Sequence, residues 1–81
     1  MLTDLNTTHK VVGVKQLKKA LRDGSAAKVF VAQDADPKLT DPICDSCSSS
    51  GVPVESVPTM AELGKACGIE VGAAVAALLR D

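Results

Sequence analysis

Three times in this chain a stretch with the helical spacing of apolar residues is cut off by a glycine, at Gly24, Gly51 and Gly68, and each time an apolar run follows. A further short apolar run, Lys10 to Gly13, stands before the first helix. Few folds accept that punctuation. Helix and strand must take turns in the order β-α-β-α-β-α-β, with connections of ordinary length. Alternation of this kind implies a sheet with helices packed on both faces, an α/β sandwich. The four strands need not all be parallel. With 81 residues there is room for one domain with a small core, so the domain is taken as residues 1–81.

In the first helix Val14, Leu17, Ala20 and Leu21 follow i, i+3, i+6, i+7 and share one side, which leaves Lys15, Lys18, Lys19 and Arg22 on the other. Asp23-Gly24 stops it, Gly24 being suited to a left-handed cap. Lys28-Val29-Phe30-Val31-Ala32 is β-branched and aromatic, the mark of a strand buried on both faces and hence central. Asp36-Pro37 announces the second helix, Asp36 as N-cap and Pro37 as its first residue, running through Leu39, Ile43 and Cys47 to Ser50. Pro42 removes a backbone donor inside it. The expectation is either a first turn interrupted there or a start delayed to about Asp41.

Val52 to Val57 reads as a strand near an edge, because Pro53 stands at its beginning. Thr59-Met60-Ala61-Glu62 has the form of a capping box, Thr59 serving the Glu62 amide and the Glu62 carboxylate reaching back. The third helix runs to about Cys67. Ala73 to Leu79 is expected as the last strand, with a helix as the alternative for so alanine-rich a stretch. Residues 1–9 are polar, with at most one helical turn, and residues 1–8 are expected to be poorly ordered.

Apolar residues make up 46% of the chain, enough for a globular core. Phe30 is the only aromatic residue, which argues against stacking many bases on aromatic platforms. The net charge of −1 hides an asymmetry: residues 1–33 carry six cations against two acids, and residues 34–81 three against eight. A nucleic-acid partner is therefore compatible with the balance, but a uniformly basic protein is excluded. Met1 to Asn6 shows no secretory pattern, and no apolar run reaches the length of a membrane span. Three cysteines, an odd number, then suggest reduced thiols. A cytoplasmic monomer that does not engage membranes is expected.

Catalytic chemistry finds little support. His9, the one histidine, lies in the weakly patterned N-terminus, and no serine or cysteine has an evident base. Neither a phosphate-cradling loop nor a dinucleotide fingerprint is visible. An enzyme is not expected, and no cofactor is implied. Cys44-Asp45-Ser46-Cys47 has the spacing of a metal or redox half-site, which makes a thiol redox or metal-binding protein the rival reading. A zinc site needs four ligands, and only Cys67 and His9 remain, both distant. The plainer role of these cysteines is to fill the helix–sheet interface.

Cations at 15, 18, 19 and 22 are either a solvated helix face or a polyanion site. They begin at the helix N-terminus, where the macrodipole disfavours them. Gln16 beside Lys15 and Lys19 also makes a donor-rich set able to address purine edges as well as phosphates. Ile69-Glu70-Val71-Gly72 has two readings as well: its apolar residues are tucked into the core, or they form an exposed wall fit to pack a splayed-out base.

Gly13 to Lys19, Ala32 to Pro37, Val52-Pro53-Val54 and above all Leu63-Gly64-Lys65-Ala66-Cys67-Gly68-Ile69-Glu70-Val71 resemble the ribosomal protein L-seven-Ae family, in particular its small bacterial YbxF type. The resemblance covers the chain from about residue 8. It implies a three-layer α-β-α sandwich with a mixed four-stranded sheet. It also implies binding to kink-turn RNA with tandem sheared G·A pairs, in a ribosomal RNA, a riboswitch or another structured RNA. The helix start at Gly13, Val14, Lys15, Gln16, Lys18 and Lys19 would enter the widened major groove. Archaeal and eukaryotic members usually carry Asn-Glu where this chain has Lys15-Gln16, which shifts the set toward donation. Asp36 would stand near the flipped-out nucleotide, and Ile69, Glu70 and Val71 would form the loop over the bulge.

Overall fold

In the computed structural model, which describes residues 9–80, seven elements follow one another: β1 (Lys10–Val12), α1 (Val14–Asp23), β2 (Ala26–Ala32), α2 (Pro37–Ser50), β3 (Val54–Val57), α3 (Met60–Cys67) and β4 (Val75–Leu79). The expectation for residues 1–8 lies outside the described residues. The sheet has the order β1-β4-β2-β3. β4 runs antiparallel to β1 and β2, while β2 and β3 are parallel, so the sheet is mixed. β3 is an edge strand, the place Pro53 demands.

The two faces have separate cores. Leu17 and Ala20 of α1 and Ile43 and Cys47 of α2 pack with Val29, Val31, Val75 and Ala77 of the sheet. Leu63 and Cys67 of α3 pack on the other side with Phe30, Ala32, Val57 and Ala76. The layers are therefore α1 and α2, the sheet, and α3. Ala26 and Val29 share a face although three residues apart. A register irregularity between Ala26 and Lys28 against β4 absorbs the odd residue, as a β-bulge does.

Several boundaries differ from those read in the sequence. β2 starts at Ala26, before the apolar run at Lys28. β3 starts at Val54, because the Val52 amide donates to the Cys47 carbonyl (2.9 Å) and so belongs to the end of α2. β4 starts at Val75: the Ala73 amide donates to the Met60 carbonyl (3.0 Å), tying that residue to α3. The helix considered for the alanine-rich stretch does not form. α2 is neither interrupted nor delayed. It begins at Pro37 and passes through Pro42. Pro42 and Lys38, whose carbonyl would have received the missing N–H, are both exposed, so water can serve that carbonyl.

Antiparallel pairing of β4 brings four chain segments to one end of the sheet. Gly13 follows β1, residues 33–36 follow β2, Pro58 and Thr59 follow β3, and residues 68–74 lead into β4.

Candidate nucleic-acid interface

At this end α1 starts without a side-chain cap and without an acid in its first turn. Gly13 takes φ 106° and ψ 155°, a region strained for residues with a Cβ. Its amide donates to the Val75 carbonyl (3.1 Å), and its carbonyl accepts from Leu17 (3.0 Å). The amides of Val14, Lys15 and Gln16 are then the orphan donors that every helix start presents. Leu17 is fully buried and Val14 half-buried, which fixes the helix on the sheet and turns Lys15, Gln16, Lys18 and Lys19 outward, all exposed. α2 and α3 are finished differently. Asp36 accepts from the Lys38 amide (2.9 Å), and Thr59 Oγ1 accepts from the Glu62 amide (3.1 Å). Asp36 is thus a helix cap, standing in the same cluster of connections.

The loop before β4 is held down by α3. The Ile69 amide donates to the Gly64 carbonyl (3.0 Å), and Gly64 lies against the Val71 backbone so closely that a Cβ would run into the Val71 carbonyl oxygen. Gly72 sits over Met60, within 3.2 Å of its Cβ for a side chain built there. With its backbone pressed down, Val71 points away from the core and is 70% exposed. Ile69 is half-buried and packs on the core beneath α3, and Glu70 is exposed. The two readings of this loop are therefore divided between its residues: isoleucine tucked, valine displayed.

The structure brings the Gly13 to Gln16 helix start and the 69–72 loop to either side of the entry into β4. Residues 33–36 complete the group. The Gln33 amide donates to the Val57 carbonyl (2.7 Å), leaving the Gln33 side chain exposed. Asp34 Oδ1 accepts from the Met60 amide (2.7 Å) and so anchors the first turn of α3 to the β2–α2 connection. Sequence reading assigned Asp34 no part. The partners are 26 residues apart, so no local pattern announces the bond.

The three cysteines do not come together at one place. Cys44 and Cys47 belong to the α1/α2 side and Cys67 to the α3 side. Burial raises the Cys47 and Cys67 thiols above their ordinary value, with the neighbouring Cys44 adding to the rise at Cys47. Both favour the neutral thiol over the thiolate that metal binding needs. Among the described residues no three His, Cys, Asp or Glu side chains gather closely enough to hold a metal ion, and no helix is long and apolar enough to cross a membrane.

Comparison with known proteins assigns the chain to a family. The model of the ribosomal protein L7Ae/L30e/S12e/Gadd45 family matches residues 2–81. An RNA-binding protein of Geobacillus sp. (strain WCH70) is 49% identical over 76 residues, which are 94% of this chain and 93% of that protein. The RNA-binding protein YbxF of Geobacillus stearothermophilus is 46% identical over 70 residues, 86% of this chain and 85% of its own. Among solved structures, the 15.5 kD RNA binding protein of Giardia lamblia superposes with a TM-score of 0.89 at 26% identity, covering 99% of this chain and 68% of that one. With a family model matching residues 2–81 and a relative 49% identical over 94% of its length, the chain belongs to the ribosomal protein L7Ae/L30e/S12e/Gadd45 family.

Proposed function

We propose that this chain binds RNA without covalent chemistry, and that its target is a kink-turn whose bend contains tandem sheared G·A pairs. One observation carries the reading: an uncapped, cation-bearing helix start and a displayed apolar side chain flank the same strand entry. Relatives named as RNA-binding proteins support RNA as the partner.

Each part has a task that its chemistry suits. The free amides of Val14, Lys15 and Gln16 and the positive end of the α1 dipole attract phosphate, and the bare backbone at Gly13 lets it approach. Lys15, Gln16 and Lys19 donate to guanine O6 and N7 in the opened groove, while Lys18 neutralises the backbone. Val71, with Ile69 behind it, supplies an apolar wall for an extruded base, and Glu70 borders that wall. Asp36 keeps one carboxylate oxygen on its helix cap and has lone pairs left for a base amino group. Because α3 presses the loop into place before binding, little ordering cost falls on the complex. The protein then acts by population shift, binding the kinked RNA better than the open form.

Titration of a kink-turn RNA against the same RNA with its G·A pairs changed to Watson–Crick pairs tests the reading. The kink-turn form is expected to bind at least ten-fold more tightly, about 1.4 kcal/mol. Equal affinity for the two RNAs would sink it.

A further inference from the structure

The C-terminal halves of α1 and α2 do not close on each other. Between them lies an open groove of about 410 Å³, bordered by Lys18, Leu21 and Arg22 of α1 and by Ser46, Ser49 and Ser50 of α2. It stays open because α2 carries serines here. Ile43 and Cys47 fill the core, and the neighbouring positions have side chains too short to reach α1. A second recess of about 220 Å³ adjoins it, sharing Leu21, Arg22 and Ser50 and adding Arg80. Three cations and three hydroxyls thus surround one depression, with Asp45 and Asp23 also on its border. Hydroxyl and guanidinium donors around the rim of an open groove suit phosphate oxygens.

α1 connects this groove to its own uncapped start. Lys15, Lys18, Lys19 and Arg22 stand at i, i+3, i+4 and i+7, one cationic flank along the helix. From Lys15 to Arg22 the axis advances about 10 Å at ~1.5 Å per residue.

We infer that the backbone of an RNA bound at the α1 N-terminus continues along this flank into the α1–α2 groove, where Arg22 and the serine hydroxyls hold phosphates of the arm beyond the bend. The inference rests on the RNA-binding reading above and lengthens its footprint. A cation in the last turn of a helix is favoured by the dipole alone, so stability cannot distinguish the two roles of Arg22. Dependence on arm length can.

The experiment compares two kink-turn RNAs by fluorescence anisotropy, one with arms cut close to the bend and one with arms a full helical turn longer. Wild type is expected to bind the long-armed RNA several-fold more tightly, with a salt slope steeper by about 0.7–0.9 for each additional phosphate neutralised. Arg22→Ala and Ser49→Asp are each expected to remove that advantage and leave short-arm affinity unchanged, and Arg22→Lys to retain most of it. Wild-type affinity independent of arm length overturns the inference, and so does an Arg22→Ala loss equal on both RNAs. Capture of a glutamate-rich peptide that Arg22→Ala abolishes, without any arm-length effect, overturns it in favour of an acidic protein partner. If wild type binds neither RNA better than a Watson–Crick duplex, the kink-turn reading itself fails, an outcome distinct from the others.

Discussion

A single methyl group on residue 64 would collide with the carbonyl of Val71. Gly64 therefore governs how the 69–72 loop lies, although it does not face solvent itself. Gly64→Ala should force the loop off α3, costing about 1–3 kcal/mol as overpacking does, and should weaken RNA binding as well. Val71→Ala separates the two effects. At 70% exposure the side chain contributes little to the fold, so its melting temperature should hardly change, while affinity for kink-turn RNA falls several-fold. A Val71→Ala protein with unaltered affinity would remove the apolar wall from the account. Residues whose work is local were readable from sequence: Asp36 caps the helix it precedes, and Thr59 serves Glu62. The Asp34 cap on Met60 was not, because its geometry exists only once β2 and β3 are side by side.

At the scale of elements, the alternation of helices and strands was written in apolar spacing and glycine stops, and every element is present in its expected order. Boundaries departed where tertiary bonds outweighed composition. Ala73 and Ala74 look like strand, yet the first turn of α3 claims the Ala73 amide. Pro42 looks like a helix break, yet α2 passes through it on the exposed side. Proline costs a helix interior about 3 kcal/mol relative to alanine, and less where water reaches the freed carbonyl. Pro42→Ala should therefore stabilise the protein by about 1 kcal/mol, equivalent to about 4–8 °C in Tm for a domain of this size. An unchanged Tm would mean that the missing bond has been made good in some other way.

For the whole molecule, strand direction was the part that alternation could not encode. Crossover helices permit parallel or antiparallel neighbours, and the mixed sheet entered only through resemblance to a family. The antiparallel β4 is what gathers the α1 start and the 69–72 loop at one end. The same packing fixes a pH response. Burial of Cys47 and Cys67 raises their thiols above the ordinary value of 9.0. Below 9.0 both states hold the protons and the thiols are neutral to stability; above it the unfolded chain ionises first, so stability declines as pH rises. Urea unfolding should show that decline above about pH 9, and Cys67→Ala should flatten it. A decline identical in the variant would assign it to other groups.

The central claim is that this chain holds RNA in a bend. Its most direct test is energy transfer between dyes on the two arms of a kink-turn RNA, followed as protein is added without divalent cations. The account predicts a rise in transfer that saturates at one protein per RNA and is absent when the G·A pairs are replaced by Watson–Crick pairs. Saturable binding with no change in transfer, or the same change in both RNAs, would contradict it.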